Sequence, residues 1–204
     1  MTRAFVAIGL DEATRRSVSE LIDGLRPLSR AVAWVPRENL HLTLRFLGEQ
    51  TEARLAEARD AVAGAVAGLA PFELALHGLG AFPGTEQPRI LWVGIAEGAL
   101  EARGLQHRVE TDLDARGFGR ESRPWHPHLT IGRVFDPRRW RRDATPVLRE
   151  AIARASTSGF GRLAVGRVVL MQSDLGKSGA RYTPLFAADL RGPTGPSIFG
   201  SQST

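Results

Sequence analysis

A four-residue strand motif occurs twice and constrains this chain more than any other feature of its sequence. His41-Leu42-Thr43-Leu44 recurs as His128-Leu129-Thr130-Ile131, and a glycine follows each copy, at positions 48 and 132. Each copy alternates polar with apolar residues, which is the pattern of a strand with one buried face. Because a helical pattern follows each copy after an interval, the repeat indicates two structurally similar halves.

The segments between the motifs predict four helices. Their apolar residues recur at helical spacing, and the first, second and fourth begin after residues that favour an N-terminal cap. The caps are Asp11, Thr51 and Thr145, and the third helix runs from about Ala99 to Arg116. Pro146 directly follows the last cap, at the first helical position, where proline is favoured.

Eight apolar or alternating runs predict strands. They are Ala4–Leu10, Val32–Val35, His41–Phe46, Phe72–Leu76, Ile90–Ile95, His128–Val134, Leu163–Met171 and Tyr182–Leu190. Because strands and helices do not alternate one for one, the order favours an α+β fold with antiparallel sheets over a doubly wound sheet. We expect a single domain over residues 1–191 and a flexible Gly/Pro/Ser-rich tail over residues 192–204.

The composition narrows the possible chemistry and partners. The absence of cysteine excludes a disulfide framework, a cysteine nucleophile, an iron–sulfur cluster and a thiolate zinc site. A net charge of +5 favours an anionic partner such as nucleic acid. Since no apolar segment is long enough for a secretory signal or a membrane span, we expect a cytoplasmic protein that is not inserted in a membrane. We also expect a monomer.

Strand alternation places the polar residues of each motif side by side. Residues two apart in a strand point to the same face, so His41 and Thr43 point one way. Leu42, Leu44 and Phe46 are then expected to point into the core. The second motif follows the same rule, so a cleft between the two strands would receive two imidazoles and two hydroxyls.

Arginines near the motifs are candidate ligands for an anion. Arg45 shares the face of the first motif by alternation and is expected to line the cleft. Arg133 is out of phase with the second motif, and it reaches the cleft only if the backbone turns after Gly132. The cluster Arg138–Arg142 is either an RNA-backbone contact or a solvated loop.

The paired imidazoles and hydroxyls suit phosphoester chemistry without a metal. An imidazole titrates near neutrality, so one histidine can accept a proton while the other donates one. Threonine hydroxyls can donate hydrogen bonds to the non-bridging oxygens of a phosphate held between them. The residues themselves do not distinguish the acid from the base. We expect no cofactor and no metal.

Two other interpretations apply to neighbouring residues. His126 stands two residues before His128, so these two and His41 are an alternative set of zinc ligands. The chain lacks an H-E-x-x-H pattern, and a zinc site would leave the paired threonines unexplained, so His126 is interpreted as a structural or rim residue. Trp34 and Trp125 precede the motifs and are candidates for base stacking, although packing is the favoured role.

The chain resembles a known family over nearly its whole length. The resemblance rests on RAFVAIGLDE, WVPRENLHLTLRFLGE, LGAFPGTEQPRILWVGI, RPWHPHLTIGR and SDLGKSGARYTPL, which begin at residues 3, 34, 79, 123 and 173. These segments are similar to those of the two-histidine phosphoesterases, and within them to the bacterial and archaeal RNA 2',3'-cyclic phosphodiesterases, formerly called 2'-5' RNA ligases. The tail after Arg191 is not covered.

The resemblance implies a fold, an activity and a role for each site residue. The fold is bilobed, with antiparallel sheets around a central cleft and helices outside, and the activity opens RNA 2',3'-cyclic phosphate ends to a 2'-phosphate. His41 would be the proton donor and His128 the proton acceptor. Thr43, Thr130 and Arg133 would bind the phosphate. Small cyclic nucleotides are alternative substrates.

Two further functions remain open. The same site run in reverse would join a cyclic phosphate end to a 5'-hydroxyl and give a 2'-5' linkage. A nucleotide- or RNA-binding module without turnover is the alternative outside enzymes, and the two intact His–Thr pairs argue against it. A bell-shaped pH profile of turnover would separate the enzyme from the binding module.

Overall fold

The computed structural model describes residues 1–176 and 179–192. The strands are β1 (Thr2–Gly9), β2 (Val32–Trp34), β3 (His41–Gln50), β4 (Phe72–Phe82), β5 (Ile90–Ile95), β6 (His128–Val134), β7 (Gly159–Val165), β8 (Arg167–Gly176) and β9 (Gly179–Asp189). The helices are α1 (Glu12–Leu25), α2 (Glu52–Val66), α3 (Ala99–Ala115), α4 (Pro137–Asp143) and α5 (Pro146–Ala155).

The strands form one curled antiparallel sheet made of two halves. The first lobe contributes β3, β1, β8 and β9 in that order, and the second contributes β6, β5, β4 and β7, with β2 added on β6. The lobes join where β3 meets β6. Helix α3 packs against β3 and β4, and α2 packs against α3 and β8. The α+β fold of two similar lobes is therefore confirmed.

The four predicted helices form where their local signals place them. Asp11 accepts a hydrogen bond from the Thr14 backbone N–H at 2.7 Å, and this contact caps α1. Thr51 and Thr145 cap α2 and α5 in the same way. These caps satisfy backbone donors that the first turn of a helix leaves free, which is why the helices begin at those residues.

Two predictions about elements need correction, and a third is not tested. The single strand predicted over Leu163–Met171 is two strands, β7 and β8, which are separated by Gly166. The Arg138–Arg142 cluster lies on helix α4, whose Asp136 cap accepts from the Arg139 backbone N–H at 2.9 Å. The tail predicted from Gly192 lies, beyond that residue, outside the described residues. Within the described ranges, no helix is long and apolar enough to cross a membrane.

A β-bulge changes which way β3 points after the first motif. Thr43 pairs with β1, but the next β1 residue, Val6, pairs with Arg45, so Leu44 has no partner in the register. Paired residues point to the same face, and Val6 belongs to the hydrophobic core. Arg45 therefore points to the helix-covered face, and its prediction as a cleft residue by alternation is wrong.

The same bulge exposes Phe46, which was predicted to be in the core. Phe46 pairs with Phe5 and is 54% exposed. The two rings lie 6.1 Å apart between centroids, and the Phe5 ring also contacts His41. Phe46 thus shares the face of the motif histidine, which we call the cleft face. Leu42 and Leu44 are buried as predicted.

Candidate active site

One residue pair joins the two motif strands. Leu42 of β3 pairs with Leu129 of β6 in antiparallel register, and it is the point where the two lobes meet in the sheet. In an antiparallel ladder centred on this pair, each motif histidine lies opposite the threonine of the other motif. The fold thus brings the two motifs together around an approximate twofold axis.

His41 is held on both ring nitrogens. Its Nδ1 lies 2.7 Å from the Asn39 carbonyl oxygen, and its Nε2 lies 2.9 Å from Thr43 Oγ1. The ring is flanked by Phe5 and Tyr182, whose centroids lie 4.8 Å and 5.2 Å away. These contacts fix the ring plane.

His128 has the same anchor in a different setting. Its Nδ1 lies 2.7 Å from the carbonyl oxygen of His126, two residues earlier, as in the first motif. Phe82 stands edge-on at 5.1 Å and Trp92 lies at 6.4 Å between ring centroids. Among the described residues, no hydrogen-bond partner is found for His128 Nε2.

The carbonyl contacts determine the tautomer of both histidines. A carbonyl oxygen can only accept, so Nδ1 must carry a proton and donate it. In the neutral imidazole, Nε2 then holds the lone pair, and it is the atom that gains or loses a proton. Both motifs therefore present Nε2 as their acid–base atom.

Burial and positive charge lower the pKa of both histidines. Desolvation is the largest cause in each case, since it disfavours the imidazolium, and the hydrogen bond to the backbone carbonyl partly opposes it. Arg133 lowers the pKa of both His41 and His128, and Arg15 also lowers that of His41. A single guanidinium, that of Arg133, thus acts on both imidazoles.

Arg133 reaches the cleft face because of a second bulge. Trp92 pairs with Thr130, but the preceding β5 residue, Leu91, pairs with Gly132, so Ile131 has no partner. The sequence places Arg133 in the cleft only if the backbone turns after Gly132. In the structure the side chains change face at the Ile131 bulge, just before Gly132. Beyond the bulge Arg133 points to the same side as Thr130.

Arg45 is engaged elsewhere. Its Nε lies 2.9 Å from a Glu110 carboxylate oxygen, Nη1 lies 3.6 Å from Glu121, and Nη2 donates to the Gly119 carbonyl at 2.9 Å. The Arg45 side chain is 11% exposed. These contacts tie β3 to α3 and to the segment that follows it, and the structure does not bring Arg45 together with the histidines.

The tryptophans near the motifs are partly buried and pack against the core. Trp125 is packed against the core and donates from Nε1 to the Thr43 carbonyl at 3.0 Å, which links the segment before β6 to the first motif. Trp34 also packs against the core, beside Gly132. The favoured packing role is therefore confirmed.

The alternative zinc site is not assembled. Within residues 1–176 and 179–192, no three His, Asp or Glu side chains converge as metal ligands would. The ring of His126 lies 6.2 Å from that of Phe82. His126 contributes its carbonyl oxygen, which accepts from His128, and its side chain also lowers the pKa of His128.

Sequence reasoning missed several neighbours of the histidines. Arg15 lies on α1 and donates to the Leu10 carbonyl at 3.1 Å, and helical spacing alone did not show that it faces His41. Tyr182 comes from the far strand β9, so only the three-dimensional fold brings it near. Asn39 could have been suspected, because it is a polar residue two positions before a motif histidine.

Comparison with known proteins agrees with this geometry. The model of the 2'-5' RNA ligase superfamily matches residues 14–177. An RNA 2',3'-cyclic phosphodiesterase of Methanothermobacter thermautotrophicus is 36% identical over 183 residues, which cover 90% of this chain and 96% of the relative. A second enzyme of that name, from Archaeoglobus fulgidus, is 33% identical over 90% of this chain and 97% of its own length.

Solved structures give the same result. The Thermus thermophilus protein TT0787 superposes with a TM-score of 0.71 at 32% identity and covers 94% of this chain and 99% of its own. Escherichia coli LigT complexed with 3'-AMP also gives 0.71, at 26% identity, over 93% of this chain and 98% of its own. The family resemblance seen in the sequence is confirmed, and the chain belongs to the 2'-5' RNA ligase superfamily of two-histidine phosphoesterases.

Proposed function

We propose that this protein is an RNA 2',3'-cyclic phosphodiesterase that opens the cyclic phosphate to a 2'-phosphate. The observation that carries this proposal is the pairing of two His–Thr motifs around one junction, with a single guanidinium acting on both imidazoles. A reaction that needs one proton taken and one proton given, on opposite sides of a phosphorus atom, suits such a pair. The relatives named above carry the same activity in their names.

In the proposed reaction, water attacks the phosphorus opposite the 3'-oxygen. His128 Nε2 takes the proton of the attacking water as the new P–O bond forms. His41, protonated at Nε2, gives its proton to the 3'-oxygen as the P–O3' bond breaks, so a 3'-hydroxyl and a 2'-phosphate result. The donor and acceptor roles follow the family resemblance, since the two Nδ1 anchors are alike.

The remaining residues act on the phosphate. The hydroxyls of Thr43 and Thr130 donate to its non-bridging oxygens, and Arg133 balances its negative charge. Because an anion between the histidines favours their charged form, substrate binding raises the pKa values that burial and Arg133 lower in the free protein. His41, the proton donor, is thereby protonated when the substrate is bound.

The test is hydrolysis of a short RNA with a 2',3'-cyclic phosphate end in the presence of EDTA. The wild type is expected to release 2'-phosphate, and His128→Ala is expected to release almost none. His126→Ala is the matched control, since its backbone carbonyl remains. Turnover that EDTA stops, or equal losses at His126 and His128, would contradict the proposal.

The superfamily's name supports a second candidate, ligation. A 5'-hydroxyl of a second RNA would replace water as the nucleophile and would give a 2'-5' linkage with the same proton transfers. Bulk water competes with that hydroxyl, so ligation needs an acceptor held close to the cyclic end. Adding a 5'-hydroxyl RNA to the same assay, with and without a splint, measures the ratio of the two products.

A further inference from the structure

We propose that the arginines of α4, together with Phe135, form a docking surface for the body of the RNA upstream of its cyclic end; this inference rests on the proposed function. The docking surface consists of Phe135, Arg138, Arg141 and Arg142. All four residues are exposed. None of them is required for the acid–base chemistry described above.

Charge is the first support for this surface. Arg138, Arg141 and Arg142 lie at helical spacing i, i+3, i+4, so they share one side of α4, while Trp140 is buried on the other side. Among the described residues, no carboxylate lies within ion-pair distance of these three arginines, whereas Arg139 lies 3.9 Å from Asp143. Unpaired guanidinium groups on one face suit a chain of phosphates.

Continuity with the active site is the second support. Phe135 follows Arg133 by two residues, its backbone N–H continues the ladder by donating to the Ala31 carbonyl at 3.0 Å, and its ring is 65% exposed. Alternation therefore places the Phe135 ring on the cleft side, like Arg133. An exposed aromatic ring followed by arginines is the combination that binds single-stranded RNA by stacking and charge.

A neighbouring cavity shows where α4 lies relative to His128. Arg141 lines a cavity of about 650 Å³ whose lining also includes Thr85, Glu86 and Gln87. Those three residues belong to the loop that follows Phe82, whose ring stands against His128. The cavity is also lined by Trp140 and by α5, so the C-terminal part of α4, with Arg141, lies beside the same loop that walls the active site. Glu86 is the acidic group in that lining.

The spacing predicts how long an RNA must be to use this surface. Ile131 is the extra residue of the bulge, so Phe135 lies four ladder positions beyond Thr130, about 13 Å at roughly 3.3 Å per strand residue. At roughly 3.4 Å per stacked nucleotide, about four nucleotides span that distance. A cyclic mononucleotide cannot reach it, whereas an oligonucleotide of eight or more residues can.

The test compares kcat/KM for a cyclic mononucleotide with that for a series of cyclic-ended oligonucleotides. For R138Q/R141Q/R142Q we expect a loss of at least about tenfold on a 12-mer, and a dependence on log salt that is shallower by about 2. The mononucleotide rate should not change. F135S should lose up to about tenfold on the 12-mer only. The matched control, R59Q/R103Q/R167Q, removes three charges from α2, α3 and β8.

A binding measurement separates this proposal from the proposed function. Fluorescence anisotropy of a labelled 12-mer without a cyclic phosphate reports docking whether or not the protein turns over. The α4 variant is expected to bind it at least about tenfold more weakly than the control variant does. Equal binding of the 12-mer by the two variants would overturn the proposal. So would a loss of mononucleotide turnover in the α4 variant as large as its loss of turnover on the 12-mer. If the wild type shows no turnover but the α4 variant still binds the 12-mer more weakly than the control variant does, only the proposed function is overturned.

Discussion

Phe46 in the first lobe and Arg133 in the second occupy equivalent places. Each follows its motif histidine by five positions, each lies just beyond a β-bulge, and each points to the cleft face. One lobe thus places an aromatic ring, and the other a positive charge, at the same distance from the motif. The repeat supplies the acid–base pair, and this difference makes the two sides of the cleft unequal.

The strands behind the motifs differ in a complementary way. On the strand next to each motif strand, Ala7 pairs with Thr43 and Trp92 pairs with Thr130. On the next strand out, Ala7 is paired with Val169, whereas Trp92 is paired with Gly80. Each lobe thus places a smaller residue beside a larger one, and in the second lobe Gly80 leaves the space that the Trp92 ring occupies.

The largest effect is expected from removing either imidazole. His41→Ala and His128→Ala should each lower kcat by about 10²–10⁴, because each removes one proton transfer. His126→Ala should stay within a few fold of wild type. Steady-state hydrolysis of a 2',3'-cyclic nucleotide checks this. If His41→Ala or His128→Ala keeps the wild-type rate, the two lobes do not contribute equally to catalysis.

The next effect comes from the charge that only the second lobe provides. Arg133→Met should lower kcat/KM by about 10- to 100-fold, since a charged hydrogen-bond donor to phosphate is lost. It should also raise the pKa of both histidines, because Arg133 lowers both in the free protein. Both limbs of the kcat/KM profile are therefore expected to move to higher pH.

Arg45→Met is the matched control for that arginine. Its guanidinium faces Glu110, whose side chain is 13% exposed, on the helix-covered side of the sheet. We expect the pH profile to keep its position while the free energy of unfolding falls by about 1–3 kcal/mol, since a largely buried carboxylate loses its partner. A shifted profile in Arg45→Met would place this arginine back in the cleft.

A smaller effect distinguishes the two threonines. Thr43→Val and Thr130→Val should each cost about tenfold in kcat, as expected for one hydrogen-bond donor to the phosphate. Thr43 also contacts His41 Nε2 at 2.9 Å, so its loss should exceed that of Thr130. Equal losses in parallel kcat measurements would show that this contact has no part in turnover.

The smallest effect on activity is expected from a substitution at Gly80, which pairs with Trp92 and mainly affects stability. A methyl group on Gly80 would overlap the Trp92 ring, which lies against that glycine. Gly80→Ala is expected to lower the free energy of unfolding by about 1–3 kcal/mol in urea denaturation. Gly84→Ala, where a methyl group meets open space, is the control and should change little.

Local signals in the sequence were sufficient for most of the fold. Asp11, Thr51 and Thr145 cap helices as predicted, because a cap depends on a few neighbouring residues. Helix α4 carried the same signal in Asp136 followed by proline, but its run of arginines suggested a loop. The motif histidines and threonines were identifiable because strand alternation holds within each four-residue copy.

The directions of Arg45, Phe46 and Arg133 were not predictable from alternation. Each lies beyond a bulge at Leu44 or Ile131, and a bulge depends on the partner strand, which is distant in sequence. One extra residue reverses every side chain that follows it. The same limit applies to Tyr182, which reaches the first histidine only through the pairing of β9 with β8.

The central claim is that the two motif histidines divide the roles of acid and base across one phosphate. The most direct test is the pH dependence of kcat/KM on a 2',3'-cyclic nucleotide with EDTA present, for the wild type, His41→Ala and His128→Ala. Because the pKa of both histidines is lowered in the free protein, the wild type should give a bell centred below the ordinary histidine value of about 6.5. The residual activity of His128→Ala should no longer fall at acidic pH, and that of His41→Ala should no longer fall at alkaline pH. Loss of the same limb in both variants, or a flat wild-type profile, would contradict the account.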